Sequence, residues 1–226
     1  MGKNSLKRLL DGFLRHRFAW LFAVLLFSIG LQPAVAMVAP RTNLVEWVLA
    51  ATLVAAIGSA ATSRGIRALI VLSLAFAVLH GLRAAIGGEG LVFAGEFVWI
   101  VACTVALAAL ARQAFRDGEV DAERIFAALD AYLMAGLIFG VCFLALERTW
   151  PASFGAPAVS DLDLSSSVYF SFVTIATLGY GDITPVSEAA RGLAVFEAVA
   201  GQLYIAVLVA RLVGLYTVSA GNRVKG

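Results

Sequence analysis

Residues 177–182 read Thr177-Leu178-Gly179-Tyr180-Gly181-Asp182, with glycine at two alternate positions. Glycine adopts φ > 0, which residues bearing a β-carbon resist. In an extended strand, that alternation lets successive backbone carbonyls point to the same side. A row of such oxygens is a set of ligands for a monovalent cation that has shed its water. The chemistry on offer is coordination by the backbone, with no side-chain nucleophile or metal cluster required.

Such a strand must be held inside a dry scaffold, and the composition supplies one. The 226 residues are 61% hydrophobic and only 14% charged, with a mean hydropathy of +0.91. Soluble domains carry roughly 25% charged residues and about 45–50% apolar ones. The deficit of charge comes from apolar blocks of about 20 residues, each able to cross roughly 30 Å of hydrocarbon. This is the pattern of an all-α membrane protein. Six transmembrane segments are expected, at 18–36, 43–62, 66–85, 91–111, 125–147 and 188–217. Short connections join them, except between Arg148 and Ser187, where the glycine-bearing run sits.

Lysine and arginine set the orientation. With the N-terminus inside, 13 of the 17 basic residues fall on the cytoplasmic side; Arg41, Arg83, Arg148 and Arg191 make up the rest. The expectation is a multi-pass cell-membrane protein with both termini cytoplasmic and the 148–187 connection entering from outside. The net charge of +2 carries no nucleic-acid signal, because the basic residues cluster at segment ends. Cys103 and Cys142 lie within apolar blocks and read as small core residues. The basic start, apolar run and Ala34-Val35-Ala36 also fit a secretory signal, although the long basic region favours an uncleaved anchor.

Residues 125–217 resemble the pore domain of tetrameric potassium channels, an outer helix, a re-entrant pore helix with its selectivity filter, and an inner helix. The filter run differs from Thr-Val-Gly-Tyr-Gly only in Leu178, whose side chain the family does not use for coordination. The resemblance implies that a potassium ion is held by the carbonyls of Thr177, Leu178, Gly179 and Tyr180, with the Thr177 hydroxyl. Gly181 and Asp182 complete the strand, Asp182 concentrating cations at its mouth with Tyr169 as a hydrogen-bond partner. Tyr180 would point its ring away from the pore, against an aromatic cuff of Tyr169 and Phe170. The run Ser165–Thr174 forms the pore helix, capped by Asp161 or Asp163. One chain supplies one strand, so a homotetramer embedded in membrane lipid follows.

The inner helix carries Gly201 where the family places a hinge, with close helix packing as the plainer explanation. Gln202, Ile205, Val209 and Val213 recur at intervals that would line the cavity. Glu197 lies in an apolar stretch, where a carboxylate costs about 2.5–3.5 kcal/mol on insertion scales. It is expected to brace the back of the pore helix through a hydroxyl such as that of Thr174.

Residues 1–117 would form a four-helix membrane domain in the place of a voltage sensor, and residues 118–226 the pore domain. The fourth segment holds no lysine or arginine from Leu91 to Ala111. Steep voltage gating needs several charges per subunit, so weak or no voltage dependence is expected. No cytoplasmic ligand-binding domain follows the inner helix within the sequence. Glu46, His80, Arg83 and Glu96 would cluster near the outer helix ends, and Asp130 and Arg211 would pair near the inner ones. No enzyme site is implied. The readings set beside a potassium-selective channel are an uptake-transporter subunit, a non-selective cation channel and a non-conducting sensor with the same fold.

Overall fold

A computed structural model describes residues 16–38, 63–86, 89–116, 121–155 and 162–224. These are mostly helical: α1 (Arg17–Val38), α2 (Ser63–Ile86), α3 (Glu89–Ala114), α4 (Ala122–Thr149), α5 (Leu164–Ile175) and α6 (Glu188–Val224). Two short strands, β1 (Phe154–Gly155) and β2 (Thr184–Pro185), pair antiparallel. The expected segment at 43–62 lies outside the described residues. Among the described residues, three helical stretches are long and apolar enough to cross a membrane: Phe93–Ala114, Ala122–Thr149 and Glu188–Gly214. Shorter apolar helices cover Arg17–Gly30, Leu69–Leu79 and Leu164–Ile175.

The chain divides into two compact units, Met1–Phe115 with Glu123–Ile138, and Arg116–Ala122 with Phe139–Gly226. In the first, α2 packs along α3. Helix α1 runs unbroken across Ala34-Val35-Ala36, and its start is tied to α4. Glu123 accepts from the Phe18 backbone N–H at 3.2 Å, and the Phe22 and Phe126 rings lie 5.7 Å apart. Phe18, Leu21, Leu25, Trp99, Ala102, Cys103, Ala127, Ala131 and Met134 are buried there. The many small residues suit helices in lipid, where packing brings backbones close because burial from water offers little between them.

The second unit holds the glycine-bearing strand. Its core gathers Phe143, Phe154, Leu162, Phe170, Ile183, Ala190 and Ala194. Helix α5 lies against α6, and β2 also packs on α6. The Ser187 hydroxyl accepts from the Ala190 N–H at 3.2 Å, capping α6 as it leaves β2.

Candidate functional site

Helix α5 starts where its sequence supplies a cap. Asp163 is in the extended region, at φ −91° and ψ 177°, and accepts from the Ser166 N–H at 2.7 Å. The same residue's carbonyl takes the Ser167 hydroxyl at 2.7 Å. Of the two expected caps, Asp163 is the one used; Asp161 lies outside the described residues.

At the other end of α5 the chain reverses onto the helix. The Thr177 N–H donates to the Thr174 carbonyl at 3.0 Å, and the Leu178 N–H to the Val173 carbonyl at 2.9 Å. Gly179 donates to the same Val173 oxygen at 3.4 Å. The strand's first amides are thus turned back to satisfy the last carbonyls of the helix. Among the described residues, the carbonyls of Thr177, Leu178, Gly179 and Tyr180 accept no hydrogen bond. They are the open side of the strand.

Gly179 and Gly181 have φ of 59° and 78°, as the alternation predicts. Thr177 shares the left-handed region at φ 58°. For a β-branched residue that conformation costs of order 1–3 kcal/mol and persists only where its surroundings impose it. Here the imposing feature is the bond from its own N–H back to Thr174. Every residue from Ala176 to Asp182 is exposed in the single chain. The far end of the strand is pinned by the Tyr169 hydroxyl, which donates to Asp182 Oδ2 at 2.8 Å. That hydrogen bond is the main cause pushing the Tyr169 phenol above its ordinary pKa, with desolvation and the negative charge of Asp182 adding to it.

Behind the helix the contacts are close and specific. The Ser171 hydroxyl donates to Glu197 Oε1, and both residues are fully buried. One turn further along, a β-carbon at Gly201 would lie 2.5 Å from Ile175 Cγ1 and 3.2 Å from its carbonyl oxygen. On α4, a β-carbon at Gly140 would lie 2.8 Å from the Cα of Val168. These glycines are required by the close approach of α5.

Several expectations change form. The hydroxyl bracing Glu197 belongs to Ser171 and not to Thr174, because residue 171 is on the face of α5 turned to α6. Phe170 is packed into the core of its own chain. Its ring is buried edge-on against Phe143 at 4.9 Å and Phe154 at 5.3 Å. Tyr180 is 67% exposed. Gln202, Ile205, Val209 and Val213 are all exposed, as are Leu203 and Val207, so a single α6 is bare on more than one face. Arg211 donates to the Arg116 carbonyl at 2.7 Å, while Asp130 is buried and its carboxylate oxygens have no hydrogen-bond partner among the described residues. In the cluster of Glu46, His80, Arg83 and Glu96, Glu46 lies outside the described residues, and so do the side chains of His80 and Arg83.

Sequence reasoning missed Ser171, Ile175, Gly140 and the aromatic trio. Gly136 and Gly140 within the apolar 125–147 segment were the available signal, since glycine there weakens a helix unless a neighbour needs the space.

Residues 127–217 match the family model described as "Ion channel". Two pore potassium channel c of Oryza sativa subsp. japonica is 33% identical over 82 residues, which cover 36% of this chain and 17% of that protein. Inward rectifier potassium channel Kirbac3.1 of Paramagnetospirillum magnetotacticum is 30% identical over 90 residues, 38% of this chain and 27% of that protein. The matched part is therefore a minor share of either relative. No solved structure matches the chain. Residues 127–217 thus match an ion-channel family model, and that part of the chain is similar to part of two potassium channels.

Proposed function

We propose that this protein is a potassium-selective channel whose pore is completed by four copies of the chain. The observation that carries this reading is the strand Thr177–Asp182. Its amides are folded back onto α5, its glycines lie at positive φ, and its carbonyls accept no hydrogen bond among the described residues. An unsatisfied carbonyl at membrane depth is tolerated only against protein or in a wet cavity. A ring of such strands around a cation meets that condition, and one chain supplies a single strand. The family relationship supports the choice of ion.

In this reading the chain crosses the membrane six times with both termini inside. Residues 1–117 form the membrane domain and 118–226 the pore domain. Potassium is held by the carbonyls of Thr177, Leu178, Gly179 and Tyr180 and the Thr177 hydroxyl. Asp182 stands at the outer mouth, and the C-terminal end of α5 aims its partial negative charge toward the cavity. The cavity is lined by the Gln202, Ile205, Val209 and Val213 stripe. With no basic residue between Leu91 and Ala111, the gate has little charge for the membrane potential to move.

The deciding experiment is planar-bilayer recording of the purified protein under opposed potassium and sodium gradients. A reversal potential near that of potassium, from protein that cross-links to a tetramer, is expected. A reversal potential midway between the two ions would replace potassium selectivity with general cation passage, and absence of current would leave the non-conducting reading.

A further inference from the structure

Asp130 lies in the first half of α4, fully buried, and neither of its carboxylate oxygens has a hydrogen-bond partner. Glu197, the other fully buried carboxylate among the described residues, has one oxygen taken by Ser171. Asp130 has no such relief. An ionised carboxylate sealed from water without a partner is among the costliest groups a protein can hold, and it takes up a proton or a cation instead.

The surroundings decide between the two. In the same unit, the described charged side chains of α2 and α3 are Arg67, Glu96 and Arg112, and none of them bonds to Asp130; nor does the Cys103 thiol. On its own helix, Glu123, Ala127 and Asp130 follow at intervals of four and three, which places them on one stripe. The two carboxylates are seven residues apart, about 10 Å along the axis. That is too far to share a metal ion, whereas a proton needs a single oxygen.

The stripe also leads outward. At the start of α1, His16 Nδ1 lies 3.7 Å from Glu123 Oε1; the His16 side chain is exposed and that of Glu123 mostly covered. Arg17, the next charge on α1, stands over the Phe18 ring at 4.7 Å, and Phe18 donates its N–H to Glu123 Oε2. On α4 itself, only the methyl of Ala127 separates Glu123 from Asp130 along the stripe. An open imidazole, a half-covered carboxylate and a sealed one thus succeed each other inward, and an imidazole both takes and gives a proton.

We propose that Asp130 is a proton-binding site, loaded by way of His16 and Glu123 from the end of the molecule where α1 begins. A proton from solvent passes to His16, then to Glu123, and through water beside the Ala127 methyl to an Asp130 oxygen; release runs in reverse. Bound, it neutralises Asp130 while α1 and α4 stay packed, with the Phe22 and Phe126 rings 5.7 Å apart. Its loss leaves a second negative charge on the stripe of Glu123, and the seam between the two helices must open to hydrate it. Such a site does not require that the chain conduct ions.

The test uses the purified full chain and infrared difference spectroscopy, which detects a protonated carboxyl by its C=O stretch. Wild type should keep such a band well above the ordinary aspartate range of about 4, and Asp130→Asn should remove it. Isotope-labelled aspartate in the wild-type chain should shift the same band, which tests the assignment without a substitution. The folded chain then binds one proton more than the unfolded chain, so stability declines as pH rises. The melting temperature of wild type should fall relative to that of Asp130→Asn by about 3–5 °C per pH unit in that window. After a pH jump, His16→Ala should reach the same final band more slowly. A band that neither the label shifts nor Asp130→Asn removes, or equal pH slopes in the two proteins, overturns the proton site. Equal rates in wild type and His16→Ala overturn the route.

Discussion

Helix α5 and the strand after it are neighbours in sequence and are held in opposite ways. The helix is closed off by its own chain: Glu197 takes the Ser171 hydroxyl, Gly201 and Gly140 admit Ile175 and Val168, and Phe170 is enclosed by Phe143 and Phe154. Among the described residues the strand is tied at its two ends, by Val173 and Thr174 at one and Tyr169 at the other. Everything between is exposed. A single chain therefore finishes the scaffold and leaves the strand bare. On the channel reading proposed above, that division would suit a site shared between copies, because the scaffold fixes the backbone and assembly would only have to bring the strands together.

The contrast can be broken most severely at Gly179. A β-carbon there meets nothing within 4 Å in the single chain, so its effect is conformational. Left-handed backbone costs an L-residue roughly 1–2 kcal/mol, repeated in every copy. Gly179→Ala should abolish the potassium reversal potential while leaving tetramer size on gel filtration intact. Retained selectivity would mean that φ at this position is dispensable.

Next in size is the scaffold side. In Gly140→Val the new side chain would run into the Val168 backbone, which cannot step aside. Overpacking of this kind costs about 1–3 kcal/mol, and the melting temperature in detergent should fall accordingly. Gly201→Ala would place its methyl 2.5 Å from Ile175 Cγ1 and 3.2 Å from the Ile175 carbonyl oxygen. It should also lower the melting temperature, and by less in an Ile175→Ala background, which removes Cγ1; an equal loss in both backgrounds would assign the clash to the carbonyl.

The Ser171–Glu197 contact sharpens the comparison further. Glu197→Ala leaves a buried hydroxyl without its acceptor, at about 1–3 kcal/mol. Glu197→Gln keeps a carbonyl for it and should lie closer to wild type in both melting temperature and open probability. Identical single-channel records for Ala, Gln and wild type would remove the brace from the mechanism. A smaller loss, about 1 kcal/mol, is expected for Asp163→Ala through the lost cap.

The smallest effect belongs to the strand's outer tie. The phenol of Tyr169 donates only while protonated, and its pKa is raised in the folded protein. Its contribution is fully present below the ordinary tyrosine range and is lost as pH rises through the raised value. Alkaline solution should therefore hasten current decay in wild type, and Tyr169→Phe should show that faster decay already at neutral pH, with no further alkaline step.

Much of this was legible in the residues. The filter run, the Asp163 cap and the apolar helices follow from local rules: glycine's freedom at φ > 0, a carboxylate three residues before an amide, and the length of a hydrophobic block; the Tyr169–Asp182 bond was implied only by the family resemblance. The partner of Glu197 and the place of Phe170 were not legible, because sequence gives the composition of a helix but not its rotation against a neighbour. A shift of one residue on α5 moves the contact by about 100°, as 3.6 residues per turn require.

By itself, then, the sequence determined which segments are apolar, where the backbone is free to turn left-handed, and which ion chemistry those carbonyls can perform. Tertiary structure decided the rest: which hydroxyl meets Glu197 and which glycines exist to admit a helix. The physical reason is range. Propensity and hydropathy act within a few residues, whereas close packing and paired polar groups depend on distances that exist only after the helices have docked.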